Sequence, residues 1–403
     1  MRSRKNHYTI TAPEVHQRAG AMVQEHLKLK DHGHKCHCAV LLNILFFAAS
    51  RITSVNAACR NLAQAPTQQT VFNALAATLP EYDELEKRLN KALIDRLPKA
   101  LRKRAQFLAI DLTLIPYHGE PFRDQREIYR SQPKCGTNHF HAYATCYVVR
   151  HGQRFTIALT GVQYGEAMED IVKRLLQRVR KIGIKCRVLL LDRGFYSVAV
   201  IRYLQAARCP FLMPVIHRGR KPKPGQPATG TRVFARWKKS GWSRYTLHSG
   251  NKKHWAKTAT VEICVSCTNY AGQWKKHGRR TFVYAYWGFR PGSTQWVRET
   301  YRRRFGIESS YRQMNEARIR TCSRNPRLRL LFFGLALILR NAWVWFHFTT
   351  FAQHVGRRLE LHLEALRFRD LLLNLQRVAE AALGITQIIQ SQTAAKEQLT
   401  NAC

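Results

Sequence analysis

Apolar and polar residues recur with two different periods along this chain, and the change of period divides it. Over the first hundred residues the apolar positions come in helical runs: LLNILFFAAS, then RITSVNAACRNLAQ, then PTQQTVFNALAATL. The last run opens with Pro66 and Thr67, residue types that start helices. From Phe107 the texture becomes strand-like. FLAIDLTLIP, HFHAYATCYVV and RFTIALTGVQ are rich in β-branched and aromatic residues. EAMEDIVKRLLQRVRKIG returns to helical spacing through Ile171, Leu175, Leu176 and Val179, with Gly183 as its stop. CRVLLLD reads as a continuous apolar strand of the buried parallel kind, SVAVIRYLQAARC as a second helix and PFLMPVI as a further strand.

The predicted order is β-β-β-α-β-α-β, an α/β class. It matches a ribonuclease-H-like core, which carries acids on its first strand and at the end of its fourth; Asp111 and Asp192 stand at those places. Beyond it, HRGRKPKPGQPATGTR is a Pro/Gly-rich loop. Four strand-like stretches follow, RVFARW, SRYTLHS, TATVEICVSC and RTFVYAYWGF, and predict a β-rich insertion. Five parts result: a helical N-terminal DNA-binding region (1–104), the first part of the core (105–216), the β-rich insertion (217–292), the second part of the core with a Glu-bearing helix (293–350), and a C-terminal helical tail (351–403). The amphipathic stretch from Arg357 to Leu375 in that tail suits either contact with a second copy or packing on the core.

Charge narrows the function. The chain has 67 Lys and Arg against 25 Asp and Glu, a net charge of +42, and a pI near 10.5. That makes nucleic acid the leading partner, ahead of a ribosomal surface or an anionic membrane. The hydrophobic share of 45 % builds a true core rather than a disordered basic tail. The longest apolar run, Leu330 to Leu339, is broken by Arg340 and Asn341 and is too short to cross a bilayer. The opening residues lack the apolar segment of a secretory signal, and eleven cysteines follow no regular framework, which suits a reducing compartment. The expectation is a cytoplasmic, nucleoid-associated protein with no membrane partner.

On this basic background, carboxylates are scarce enough to carry information. Between Asp192 and Glu299 the one acidic residue is Glu262, against 21 Lys and Arg. Asp111 and Asp192 end or interrupt apolar strands, and Glu308 lies on the basic segment YRRRFGIESSYRQMNEARIR. Three such carboxylates can hold two Mg²⁺ ions against a polyanion, with Mn²⁺ as a substitute, and so cut or join nucleic acid. Tyr301, Arg304, Glu308, Tyr311 and Asn315 follow one another at steps of three and four, a single helical stripe. A carboxylate flanked by Tyr and Arg can bind metal while its neighbours grip phosphates. The plainer reading, a solvated helix with exposed ion pairs from Glu308 to Arg304 or Arg312, adds little stability and leaves the pattern unexplained.

These residues resemble a known family. Tyr301-x2-Arg304-x3-Glu308-x6-Asn315 is similar to the Tyr-x2-Arg-x3-Glu-x6-Lys signature of bacterial and archaeal DDE insertion-sequence transposases, in which a β-rich insertion precedes the glutamate. Asp192-Arg193-Gly194-Phe195 and Ala109-Ile110-Asp111-Leu112-Thr113 resemble the segments around the other two acids. The resemblance implies a transposase that cuts DNA at element ends and joins the 3′-OH to target DNA, acting as a homodimer on DNA. It implies Asp111, Asp192 and Glu308 as catalytic metal ligands, and Tyr301, Arg304 and Arg193 as groups that order the strand and the site. The signature's final Lys is Asn315 here, so Arg312 or Arg318, a turn away, would have to supply its charge. A nuclease of the same fold without strand transfer, or an inactive DNA-binding protein, are the alternatives. Some relatives stack a flipped base on a Trp of the insertion, and Trp274, Trp287 and Trp296 are candidates.

Other signals are weaker. Gln68, Gln69, Thr70 and Asn73 could face a DNA groove in a helix-turn-helix, or belong to an ordinary bundle. The cluster His32, His34, Cys36, His37 and Cys38 matches no standard zinc spacing. Cys264 and Cys267, in a β-like run, should point to opposite faces. No Gly-rich phosphate loop suggests use of ATP.

Overall fold

The computed structural model describes residues 9–150, 154–220, 226–249, 257–272, 277–355 and 358–386. Six helices come first: α1 (Ala12–Leu27), α2 (Cys38–Ser50), α3 (Val55–Asn61), α4 (Gln68–Thr78), α5 (Tyr82–Asp95) and α6 (Ala100–Lys103). The core follows as β1 (Gln106–Pro116), β2 (Tyr129–Lys134), β3 (Thr137–Val148), β4 (Thr156–Val162), α7 (Met168–Lys181), β5 (Cys186–Leu191), α8 (Val198–Ala206) and β6 (Phe211–Pro214). The insertion contributes α9 (Arg232–Ala235), β7 (Gly241–His248), β8 (Thr258–Ala271) and β9 (His277–Trp287). The chain ends with α10 (Thr294–Arg302), α11 (Gly306–Asn315), α12 (Pro326–Phe346), the hairpin β10 (Ala352–Val355) and β11 (Arg358–Leu361), and α13 (Phe368–Leu383).

The sheet runs β2-β3-β1-β5-β6-β9-β8-β7, with β4 also on the outer edge of β3. Within it, β4-β3-β1-β5-β6 is the ribonuclease-H-like core: β3 and β4 run antiparallel to their neighbours, while β5 and β6 run parallel to β1. Parallel pairs need crossover connections, and α7 and α8 supply them. Among the described residues the insertion forms no separate sheet. Its strands extend the core through β9, which pairs antiparallel with β6. One expected strand is corrected: RVFARW contains the short helix α9, and β2 is an additional short strand.

Alternating side chains split the core into two layers. Leu108, Ile110, Leu189 and Leu191 face α7 and α8, whose apolar stripes (Ile171, Leu175 and Val179 in α7) cover that side. Ala109, Leu190, Leu212 and Tyr284 face a helical layer made by α1, α2, α5, α11, α12 and α13. The N-terminal helices and α13 therefore bury into one core with the sheet. In α13, Leu371, Leu372 and Leu375 are fully buried, so this part of the tail packs on the fold. Helix α12 is its spine, with every residue from Leu330 to Asn341 buried. By length and composition Pro326–Phe351 could cross a membrane, yet 89 % of its most apolar window lies inside the fold. Its polar Asn341 is satisfied there: the side chain accepts from Thr156 N–H (2.9 Å) and donates to Thr156 O (2.7 Å) and Leu93 O (3.0 Å).

Candidate functional site

Register brings the two aspartates together. Ile110 pairs with Leu191 across the parallel β1–β5 ladder, so Asp111 and Asp192, the next residues, sit side by side. Both point toward the helical layer, on the side chain parity of Ala109 and Leu190. Opposite Asp111, β3 places Thr145. The buried Tyr311 hydroxyl of α11 lies 2.7 Å from Thr145 Oγ1 and 3.1 Å from the Asp111 carbonyl oxygen. That clamp seats α11 on β1 and brings Glu308, in the first turn of α11, to the aspartates. The positive end of a helix favours a carboxylate there.

Arg304 occupies the centre of the three acids. Its Nη1 is 3.4 Å from Asp111 Oδ2, and its Nη2 is 3.5 Å from both Asp192 Oδ1 and Glu308 Oε1. The Arg304 guanidinium lies over the Tyr301 ring at 5.5 Å, and Tyr301 rests on Tyr284 of β9 at 5.2 Å. Burial works against the charge of Arg304, but Tyr301, Asp111 and Asp192 more than offset it and raise its pKa. Asp111 is pushed up to about 6, by burial above all; Arg304 and the Leu112 N–H (2.9 Å) pull it down, and Asp192 and Glu308 push it up.

The donor set suits a divalent cation. Hard carboxylate oxygens from β1, the end of β5 and α11 surround one cation, and burial disfavours the charge of the most enclosed of them, Asp111. Arg304 Nε is buried without a hydrogen-bond partner, so the guanidinium fills this place incompletely. The guanidinium also separates the acids. Among the described residues, ligand atoms of three groups come within 4.8 Å of one another only at Glu25, His26 and Asp95, where Arg96 already pairs with both carboxylates. The N-terminal His/Cys cluster gives no such grouping.

The single stripe from Tyr301 to Asn315 is corrected. A 3-10 turn, Arg303–Phe305, separates α10 from α11 and changes the phase. Tyr301 and Arg304 are buried, 6 % exposed each; Arg304 faces the acids, and Tyr301 lies between Arg304 and Tyr284. Arg193, Arg312 and Asn315 are exposed around the site. Arg318 is half-buried near Tyr143, and burial lowers its pKa. In the N-terminal region Gln69 and Asn73 are exposed on α4 and bonded to each other at 2.9 Å, behind the Thr67 N-cap.

The candidate tryptophans lie in different places, Trp296 on α10 rather than in the insertion. Trp287 packs against the layer away from the acids, Trp296 is half-buried against Phe289, and Trp274 lies outside the described residues. Sequence reasoning missed Trp242. With the β5–β6 register extended two residues past Leu190 and Leu212, the row through Asp192, Pro214, Tyr284, Cys264 and Trp242 puts it on the acids' face, 44 % exposed. Four strand spacings separate it from Asp192, about 19 Å. Only strand pairing reveals this, because the row joins residues distant in sequence. Cys264 and Cys267 do face opposite sides.

The family model described as Transposase DDE domain matches residues 102–342. No curated protein matches the chain. Among solved structures, a piggyBac transposase synaptic complex with hairpin DNA aligns with 99 % of this chain and 79 % of that one, at 12 % identity and a TM-score of 0.47.

Proposed function

The chain belongs to the transposase DDE domain family, and on that premise we propose that Asp111, Asp192 and Glu308 are its catalytic carboxylates. The transposase cuts and joins DNA with divalent metal. The observation that carries the assignment is the convergence of these three acids on the Arg304 guanidinium. Two Mg²⁺ ions, with Mn²⁺ as a substitute, would be held by the three acids and supply activation of the attacking oxygen and charge stabilisation on the leaving one. Arg304 is the counter-ion that keeps the acids assembled before metal and DNA arrive. Tyr301 and Tyr284 support it, and Tyr311 fixes α11 on β1. Arg193, Arg312, Asn315 and Arg318 contact phosphates, the arginines supplying the charge that Asn315 lacks.

In the first step water's oxygen bonds to phosphorus at the element's end and the 3′ oxygen leaves as a 3′-OH. That hydroxyl then attacks a target phosphodiester in line, and the target's own 3′ oxygen departs. Two ends joined together call for two copies on DNA, and we assign end recognition to α3 and α4 through Gln68, Gln69, Thr70 and Asn73. The protein works in the cytoplasm, at the nucleoid. Trp242 is the insertion side chain suited to meet DNA that leaves the acids on that flank.

The test is a labelled duplex carrying the gene's own flanking DNA, incubated with purified protein in Mg²⁺ and in EDTA. Metal-dependent nicking at a fixed flanking position, followed by joined products, is expected. Nicking without joining would leave a nuclease; binding without nicking in Mg²⁺ or Mn²⁺ would refute the catalytic assignment.

A further inference from the structure

A cavity of about 980 Å³ lies on the other flank of the acids from the insertion and is not used by the chemistry above. Its lining includes Gly161, which pairs with Tyr143 and through it with Thr113, two residues beyond Asp111. Two strand spacings and two residues put Gly161 about 12 Å from Asp111, on the same face of the sheet.

Two aromatic rings stand at this cavity in solvent. Phe122 is 45 % exposed and Tyr164 is 47 % exposed, unusual for large apolar rings in this chain. The main chain that carries each is held. Glu127 accepts hydrogen bonds from the N–H groups of Phe122 (2.8 Å) and Arg123 (3.3 Å), and the Tyr164 N–H donates to Arg126 O (2.8 Å). Tyr129 meets Tyr164 edge to face at 6.4 Å. Each exposed ring carries an arginine: Arg123 lies 5.4 Å from the Phe122 centroid and Arg130 5.9 Å from that of Tyr164.

Among the described residues, the acids at this cavity other than Asp83 and Glu127 are already ion-paired, and these two arginines are not. Glu81, Glu86 and Glu166 are ion-paired to Arg327, Arg178 and Arg174, and Asp124 holds Arg126. Among the described residues, the guanidinium groups of Arg123 and Arg130 make no ion pair. Exposed rings with spare cations beside them are what a single nucleic-acid strand requires: a flat face for each base and a positive charge for its phosphate.

We propose that Phe122 and Tyr164, with Arg123 and Arg130, form a stacking platform for unpaired DNA bases next to the strand being cut or joined. It rests on the transposase reading, because cutting and joining at the acids would leave strand ends within reach of it. A rigid duplex keeps its base faces stacked and gives this platform only phosphates.

The test is fluorescence anisotropy with the full chain in EDTA, where cutting cannot occur. The probes are a labelled 12-nucleotide single strand of mixed sequence and the corresponding blunt duplex, at about 0.2 M salt. The double variant Phe122→Ala/Tyr164→Ala is expected to weaken single-strand binding by about tenfold or more while duplex binding changes less than about twofold. The aromatic-retaining pair Phe122→Trp/Tyr164→Phe should bind single strands like wild type, and this keeps the result separate from misfolding. Arg123→Ala/Arg130→Ala should weaken both probes and flatten the salt dependence. Equal losses for both probes in the alanine double variant, or no loss, would overturn the platform. Failure of the catalytic reading would look different: nicking of flanking DNA would be absent while the single-strand preference persisted.

Discussion

Neutralising Asp111 should stabilise the metal-free protein at neutral pH, although it should destroy activity. The Asp111 carboxyl stands at about 6 against an ordinary 3.8, chiefly because it is buried, and its side chain is 16 % exposed. A raised acid favours the fold while protonated, and that contribution is lost as pH rises through about 6. At about 1.4 kcal/mol per pH unit the full loss is about 3 kcal/mol, reached near pH 7.5. At pH 4.5 it is about 1 kcal/mol, because the folded carboxyl is still protonated. Asp111→Asn removes the ionisation and keeps the shape, and Arg304 retains Asp192 and Glu308 as partners. With an unfolding entropy of about 2.1 cal/mol/K per residue, the variant should melt about 3 °C above wild type in EDTA at pH 7.5 and about 1 °C above it at pH 4.5. Differential scanning calorimetry at the two pH values makes the comparison. Added Mg²⁺ should raise the wild-type midpoint and leave the variant's nearly unchanged. A variant melting at or below wild type in EDTA at pH 7.5 would refute the claim that this fold bears the Asp111 charge at a cost.

Three further outcomes are expected. Tyr311→Phe strips the hydroxyl from Thr145 and the Asp111 carbonyl, so urea unfolding should show a loss of about 1–3 kcal/mol, with slower nicking as α11 loosens. Asn341→Leu leaves the Thr156 N–H, Thr156 O and Leu93 O without their partner and should cost about 2–5 kcal/mol in the same assay, with no change in metal requirement. Gln69→Ala with Asn73→Ala should reduce binding to the element's own end by about 5- to 150-fold while binding to random duplex is retained, measured by competition gel shift.

Much of the fold was legible because its elements are locally encoded. The apolar stripe Ile171, Leu175 and Val179 predicts α7, and the unbroken run in CRVLLLD predicts a strand buried on both faces. The exceptions have physical causes. RVFARW carries β-type residues, yet four of them turn as α9 beside the Pro/Gly-rich loop, where tertiary packing outweighs propensity. Three-and-four spacing across Tyr301 to Asn315 predicts one helix face, but a 3-10 turn costs a fraction of a turn and buries Arg304 among the acids. The acids themselves stood out by scarcity on a basic chain. The supports Thr145 and Tyr284 behind Tyr311 and Tyr301, the face of Trp242 and the cavity beside Phe122 depend on which strands pair in which register, information held by no single segment.

The most direct test of the central claim is single-turnover nicking of flanking DNA by Asp111→Asn, Asp192→Asn and Glu308→Gln, with Glu262→Gln as the control acid on the insertion. Each of the first three should lose at least about a thousandfold in rate, about 4 kcal/mol of barrier, while still binding the duplex. The control should nick like wild type. Nicking that survives in any of the three, or falls equally in the control, would contradict a single catalytic site built from these carboxylates.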